Sequence, residues 1–327
     1  MAVLEERALD TMSQAGLTRR TVAAGLAGLI ALGVRRADAR QATPAASGTR
    51  PVNTVHGVVE VPTNPRRVVA LTYISSIAAA ELGVMPVGVT RWIPELPPGF
   101  PDMADIAKVE NTSYDLDIEA IIALEPDLIL GSDVLDPADQ QLPYEHLSRI
   151  APTALFEWVG GGANWAVEAA GCAQALGKDD QFAELRAAYD QKAEQIKKTY
   201  AEELTALTFD FLDAGESEWY LHGPASTHCK VAIDAGVTLG AGAALADAFT
   251  GYSFEQLNVL TDTGALMVRA EPDPSLAILR TLPTFTTLPA VAADHVLTTD
   301  YFYVASYAQC NALLEDLEAG LGSLVVS

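Results

Sequence analysis

The sequence predicts an α/β protein made of two Rossmann-like lobes with parallel sheets, joined by a single long α-helix, with a ligand cleft between the lobes. The first observation behind this is the stretch from Lys178 to Leu204. Phe182, Leu185, Tyr189, Ile196, Tyr200 and Leu204 follow one another at helical steps once Ala193 fills the gap, so they share one face. Asp179 and Asp180 open it and Lys197 and Lys198 come late, the charge order a helix dipole favours. Neither Pro nor Gly interrupts it, and at its full extent it would be roughly 40 Å long. The second observation is that the chain on either side is of similar length and alternates short apolar runs with helical ones, the pattern of parallel sheets covered on both faces. The third is size: 327 residues, 50% of them hydrophobic, suffice for two cores.

In chain order, residues 1–39 read as a signal peptide. Arg19 and Arg20 precede an apolar run from Val22 to Val34 that is too short to span a bilayer, and Ala37-Asp38-Ala39 offers a cleavage site. The paired arginines resemble a twin-arginine signal, with Val22 where that signal usually has Phe. Export to the periplasm or another extracytoplasmic space follows as the expectation. Residues 40–54, rich in Ala, Thr, Ser and Pro, read as a flexible lead-in. The first lobe is expected over 55–177, with strands at Val68–Leu71, Pro86–Val89, Leu128–Leu130 and Thr153–Phe156. Helices are expected at Ser75–Leu82, Asp117–Leu124, around Leu147 and at Trp165–Leu176. The linking helix takes 178–204 and the second lobe 205–327. In that lobe strands are expected at Phe209–Leu212, Trp219–His222, Leu266–Val268 and His295–Thr298, and helices at Thr227–Ala235 and Ser306–Leu321.

A formal charge of −23 argues against nucleic acid as a partner, since such a surface repels phosphate backbones. The N-terminal 39 residues hold five Arg against four acids, so the negative charge belongs to the remainder. Cys172, Cys229 and Cys310 form no metal-type spacing and read as buried free thiols, with a Cys229–Cys310 disulfide as the alternative. His222, His228 and Cys229 are close in sequence, yet no further ligand cluster accompanies them, so no metal site is expected. The chain has no GxSxG, HExxH, P-loop or GxGxxG motif, and Gly160-Gly161-Gly162 is a turn with no Lys or Ser/Thr after it.

Parallel sheets bind ligands beyond the carboxyl ends of their strands. In the first lobe those ends place Tyr73, Arg91, Trp92, Ser132, Asp133 and Trp158 at the exits, and several aromatics with an arginine form a plausible binding wall. Arg269 and Tyr252 stand at or near comparable exits of the second lobe.

An ordered series of segments then carries a resemblance. HGVVEVPTNPRRVVAL, ELGVMPVGV, LDIEAIIALEPDLILG and LSRIAPT, with Pro62, Pro65, Arg67, Leu82, Gly83, Pro86, Gly88, Glu119, Pro126 and Asp127 at the matching positions, resemble the periplasmic-binding-protein family that delivers ferric siderophores, haem and cobalamin to ABC importers. SFEQL (Ser253 to Leu257) resembles a second-lobe motif of that family, while Gly264 and Phe285 depart from it. The resemblance covers Val55 to the C-terminus and implies a non-catalytic receptor for a ferric siderophore, acting as a monomer and passing its cargo to a membrane permease. It implies no cofactor, iron entering only within the bound chelate. It points to Tyr301 and Tyr303 as further ligand contacts, and to Glu119 and Glu255 as carboxylates that pair with arginines of the permease. A haem or cobalamin binder of the same fold stays open, with Tyr73, Tyr301 or Tyr303 available as an axial ligand. So does a secreted two-lobed enzyme.

Overall fold

The apolar run Leu128–Leu130 lacks the alternation of a half-exposed strand, and its environment explains why: the strand is buried on both faces. The computed structural model describes residues 48–112, 115–133, 142–158, 164–270 and 273–324. The twin-arginine segment, Ala37–Ala39 and the Gly160–Gly162 turn lie outside these residues.

The described chain opens with an antiparallel hairpin of β1 (Thr49–Thr54) and β2 (Gly57–Pro62). Part of the expected flexible lead-in is therefore strand. Val52 and Val61 are fully buried, and Val55 N donates to Leu155 O at 3.0 Å, which fastens the hairpin to the sheet. His56 at the turn stacks on Tyr144 and has its Nε2 3.1 Å from Asp133 Oδ2.

The first sheet uses β3 (Val68–Ala70), β4 (Gly88–Val89) and β5 (Ala107–Lys108); after the small antiparallel pair β6 (Glu110–Thr112) and β7 (Asp115–Leu116) come β8 (Leu128–Asp133) and β9 (Thr153–Glu157). Its order is β5-β4-β3-β8-β9 and every pairing is parallel. Helices α1 (Tyr73–Glu81), α2 (Ile118–Ala123), α3 (Tyr144–Ile150) and α4 (Trp165–Leu176) cover its two faces. α1 starts on a capping box between Thr72 and Ser75, and Ile74 to Ala80 are all buried. The Pro-x-x-Pro-x-Arg and Pro-Asp motifs meet at the far end of the sheet. Asp127 accepts from the backbone N–H of Arg66 and Arg67 at 2.8 and 2.9 Å, and the Arg67 guanidinium bonds the carbonyls of Leu124 and Glu125 at the end of α2. These motif residues build the entry to β3; they do not touch the cleft side.

α4 ends at Gly177, whose φ of +69° is left-handed and whose missing Cβ makes room for the Arg50 guanidinium. The linking helix follows as α5 (Asp179–Thr199), with Tyr189, Ala193 and Ile196 buried. It is not continuous to Leu204: Tyr200, at φ −111° and ψ 32°, leaves the helical region, and a separate turn, α6 (Ala201–Ala206), completes the passage. Ile196 before the break and Leu204 after it are both buried in the central core, so the stripe stays on one face across the change of backbone.

The second sheet takes β10 (Phe209–Ala214), β11 (Trp219–His222), β12 (Phe249–Tyr252), β13 (Ala265–Arg269) and β14 (Val296–Thr299), in the order β12-β11-β10-β13-β14. It is mixed, a correction to the all-parallel expectation. β10, β13 and β14 run parallel, whereas β11 pairs antiparallel with both β10 and β12. The short turn from Ala214 to Trp219 leaves no room for a crossover helix, so β11 must return beside β10. Helices α7 (Thr227–Asp234) and α8 (Ala241–Leu245), a 3-10 segment (Phe254–Leu260), α9 (Ser275–Arg280), α10 (Pro283–Thr286), α11 (Pro289–Ala292) and the closing α12 (Tyr307–Leu321) complete this half.

Two cores back the outer faces of the sheets, around Ile121 and Ile129 in the first and around Leu257 and Leu266 in the second. A third runs through the middle without a break, from Ile74 and Ile77 through Tyr189 and Ile196 to Leu313 and Leu317. The two sheets are thus joined by a continuous apolar core as well as by the chain. All three cysteines are buried and free, so Cys229 and Cys310 form no disulfide.

Candidate functional site

The carboxyl ends of β3, β4, β8 and β9 face those of β13 and β14, and the side chains at these exits meet. The Tyr73 ring stands 5.0 Å from Trp92 and 6.4 Å from Trp158, both edge-on. Trp92 then meets Tyr303 of the other half at 5.5 Å, also edge-on, and the Arg269 guanidinium carbon lies 5.4 Å from the Tyr303 ring centre. Edge-to-face packing and a cation over a ring are the favourable arrangements for such groups. Tyr73, Trp92, Trp158, Tyr303 and Arg269 therefore form one partly buried set shared by both sheets.

Polar groups fix this set. Arg91 is exposed; its Nη2 donates to Glu110 O at 2.8 Å, and its backbone N–H and the Thr90 hydroxyl both donate to Glu110 Oε2, at 2.9 and 2.7 Å. Lys108 lies nearby, and burial and then the Arg91 charge hold its ammonium below the usual lysine range. Arg269 Nη1 pairs with Asp273 Oδ2 at 2.9 Å. On the same side, burial, then Asp316 and Glu95, raise the Asp300 carboxyl. Burial followed by Asp316, Asp300 and Glu95 raises the Tyr301 phenol. Asp133, expected at the exit of β8, instead ties down the hairpin through His56 and accepts from Leu142 N at 3.2 Å. Tyr252 stands apart from the rings. It stacks on Trp219 at 4.9 Å, on the edge strand two places beyond β10.

The loop that carries Tyr301 and Tyr303 is anchored by its buried middle residue. Phe302 O accepts from Thr227 Oγ1 at 3.1 Å and from His228 Nδ1–H, and Val304 N donates back to Thr227 Oγ1 at 3.1 Å. The His228 ring stacks on Phe302 at 4.3 Å, and His222 sits edge-on to it at 4.5 Å, with Nε2 3.2 Å from Asp213 Oδ1. Burial first, then His222, holds His228 well below the usual histidine range, so it is neutral and its Nδ1 carries the donating proton. Among the described residues no group of three or more His, Cys, Asp or Glu is placed to hold a metal ion. The His222/His228 pair supports a loop.

Two carboxyls that sequence reasoning passed over lie behind the cleft. Glu168, fully buried in α4, accepts from Thr72 Oγ1 just behind Tyr73; burial, opposed by Thr72, Ser132 and Ser75, pushes it up to about 7. Glu81, at the end of α1, reaches the second half of the molecule and is likewise pushed up to about 7 by burial. A glutamate inside an Ala-rich helical run is the only trace either leaves in the sequence.

Glu119 and Glu255 are both exposed and both lie in the first turn of a helical segment, one in each half. Asp117 supplies the cap of α2 by accepting from Ala120 N at 2.8 Å, which leaves Glu119 free of that duty. The Glu255 carboxyl is held below the ordinary value by its own backbone N–H and then by the Ser253 hydroxyl.

Two α/β halves, a helix between them, and rings converging from both onto one cleft define a ligand-binding protein. The chain belongs to the periplasmic binding protein family, whose pattern matches residues 68–301. It is 33% identical over 181 residues to the probable siderophore-binding lipoprotein YfiY of Bacillus subtilis, a match that covers 53% of each chain and so spans about half the length of that relative. Among solved structures, the siderophore periplasmic binding protein from the fuscachelin gene cluster of Thermobifida fusca is 25% identical, with a TM-score of 0.72, over 81% of this chain and 99% of that one. SirA of Staphylococcus aureus, solved with staphyloferrin B, shares the fold at 21% identity and a TM-score of 0.65, over 84% of this chain and 99% of that one. Among the described residues no helix is long and apolar enough to cross a membrane.

Proposed function

We propose that this chain is the extracytoplasmic receptor of an ABC importer, that it binds a ferric siderophore without chemical change, and that it passes the chelate to a membrane permease. The observation that carries this is the ring set of Tyr73, Trp92, Trp158 and Tyr303, which converges from both halves beside Arg269. A ferric chelate is bulky, with an apolar periphery and polar oxygens around the metal. Rings suit the periphery, and Arg91, which spends one of its donor nitrogens on Glu110 O, keeps the rest of its fork for oxygen ligands. The relatives named for siderophores support the same ligand class. Haem is the weaker fit at Tyr301, whose phenol is pushed up, away from the phenolate that an axial ligand provides.

Titration with ferrichrome, ferric staphyloferrin B, haem and cobalamin, followed by tryptophan emission, tests the ligand class. Binding of a ferric siderophore is expected to quench Trp92 and Trp158. Trp92→Ala and Tyr303→Ala are each expected to weaken it by about tenfold or more, the usual effect of removing a central aromatic anchor. Arg91→Ala is expected to weaken it more than loss of any arginine outside the cleft. A Soret shift with haem, and no response to any iron chelate, would replace this ligand by haem. Unchanged affinity in all three variants would move the site elsewhere.

The proposed signal peptide, residues 1–39, supplies the route. With Arg19 and Arg20 both replaced by Lys, the precursor is expected to stay in the cytoplasm, as cell fractionation would show. Normal export of that variant would reject the twin-arginine route.

A further inference from the structure

The geometry points to Glu81 as a positioning residue that holds the second half of the cleft against the first; the inference rests on the cleft being the ligand site. α1 begins at the cleft ring Tyr73 and ends at Glu81. From there the carboxylate crosses to the start of α12: Oε1 accepts from Ala308 N at 2.7 Å and Oε2 from Tyr307 N at 3.2 Å. These are the first two amides of a 15-residue helix, donors with no partner inside it. The third, Gln309 N, is taken by Ser306 Oγ at 3.1 Å. Two of the first three amides are therefore satisfied by the opposite half.

α12 follows directly on the loop bearing Tyr301 and Tyr303, so fixing its start fixes the loop's end. Gln309 adds a second tie: its Oε1 accepts from Ala305 N at 2.9 Å and its Nε2 donates to Glu95 O at 2.6 Å, on the first half. Trp165, Phe182 and Tyr189 pack around the Tyr307 ring at 5.2–5.5 Å, an aromatic cluster beside the joint.

The ionisable groups facing Glu81 from α12 are uncharged near neutral pH, and those from α5 are an ion pair. From α12 these are Tyr307, pushed up to about 12, and Cys310, raised well above the ordinary thiol value, both neutral there. From α5, Arg186 and Asp190 lie near Tyr307 and face each other at 3.6 Å. Burial holds Glu81 itself up at about 7 against the two amides that favour its charge. The carboxyl thus takes up a proton as the joint forms, and by linkage the joint tightens as pH falls from above 7 toward 5.

The test needs no ligand, so its failure is separate from failure of the siderophore reading. The native cysteines are buried, so spin labels go to Glu145→Cys and Asp262→Cys, exposed positions on opposite halves. Inter-label distances are measured at pH 5.5 and 8.5 in the wild type, Glu81→Gln and Glu81→Ala. The wild type is expected to give a narrower distribution at pH 5.5. Glu81→Gln, a neutral isostere that keeps an acceptor, is expected to be narrow and the same at both pH values. Glu81→Ala is expected to be broad at both, with amide exchange at Tyr307 and Ala308 faster by about tenfold or more. A wild-type distribution in Glu81→Ala, or in Glu81→Gln a pH dependence equal to that of the wild type, would overturn the assignment. If Glu81→Ala does not fold, the Gln comparison decides alone.

Discussion

Cells carrying the double reversal Glu119→Lys and Glu255→Lys are expected to lose uptake of the siderophore altogether, while the purified variant binds it normally. The two carboxylates project from first turns on opposite halves, which the continuous core joins and the Glu81 contact with α12 helps to hold. The family resemblance implies the partners we propose for them, one permease arginine for each. A charge-assisted pair at each end of a rigid body sets orientation as well as attraction. Reversal turns each pair into a like-charge contact, which costs several kcal/mol at an interface. Folding should not suffer. Both side chains are exposed, and such substitutions usually stay within about 0.5 kcal/mol. The helix starts also keep their caps: Asp117 still accepts from Ala120 N, and Ser253 N still donates to Gln256 Oε1 at 3.2 Å. Radiolabelled ferric-chelate uptake, with binding and melting of the purified variant as controls, decides the matter. Uptake at the normal rate would place the docking surface elsewhere.

Much of this architecture is legible in the residues. The linking helix shows in the stripe from Phe182 to Ile196, and Trp165–Leu176 has the predicted bounds because an αL glycine ends it. The strand-exit rule points to Tyr73, Trp92, Trp158 and Arg269, and the resemblance to Tyr303; the structure brings these side chains together, since parallel strands leave their carboxyl ends on one side. The rule misleads at Tyr252, which is at the right end of its sheet but on the far edge, where Trp219 takes its ring. Composition also misleads. Residues 42–51 are rich in Ala, Thr, Ser and Pro, and that hid the hairpin, although Gly57, at φ +94°, between Val52 and Val61 was its signal.

What was not legible shares one physical character. Glu81 meets amides 226 and 227 residues away, and Glu168 meets Thr72 across 96. No local period records such partners; only the packing of α1 against α4 and α12 creates them. The break at Tyr200 belongs here too: the apolar stripe runs past it to Leu204, which is buried, so the pattern carries no mark of the non-helical backbone at Tyr200.

Glu168 gives the second large effect. Its carboxyl is 1% exposed, and its pKa rises from 4.5 to about 7, so the folded chain keeps a proton that the unfolded chain releases. The sign follows directly. The group's contribution to stability is greatest below about 4.5 and is lost as pH rises through 7. Over that window the loss amounts to about 3 kcal/mol. His228 acts in the opposite sense: it is buried and neutral, and below about 6.5 the unfolded chain gains a proton that the folded chain refuses. The wild-type curve therefore mixes the two, and a difference measurement separates them. Glu168→Gln copies the neutral form in size and hydrogen-bonding reach while leaving His228 untouched. The variant is expected to match the wild type near pH 4 and to exceed it by about 3 kcal/mol at pH 8, or roughly 6 °C in Tm. Thermal melts of both proteins at half-unit steps of pH check this. A difference that stays constant across the range would mean that Glu168 is ionised in the fold, and that the cleft floor behind Tyr73 holds a charge where burial argues for a proton.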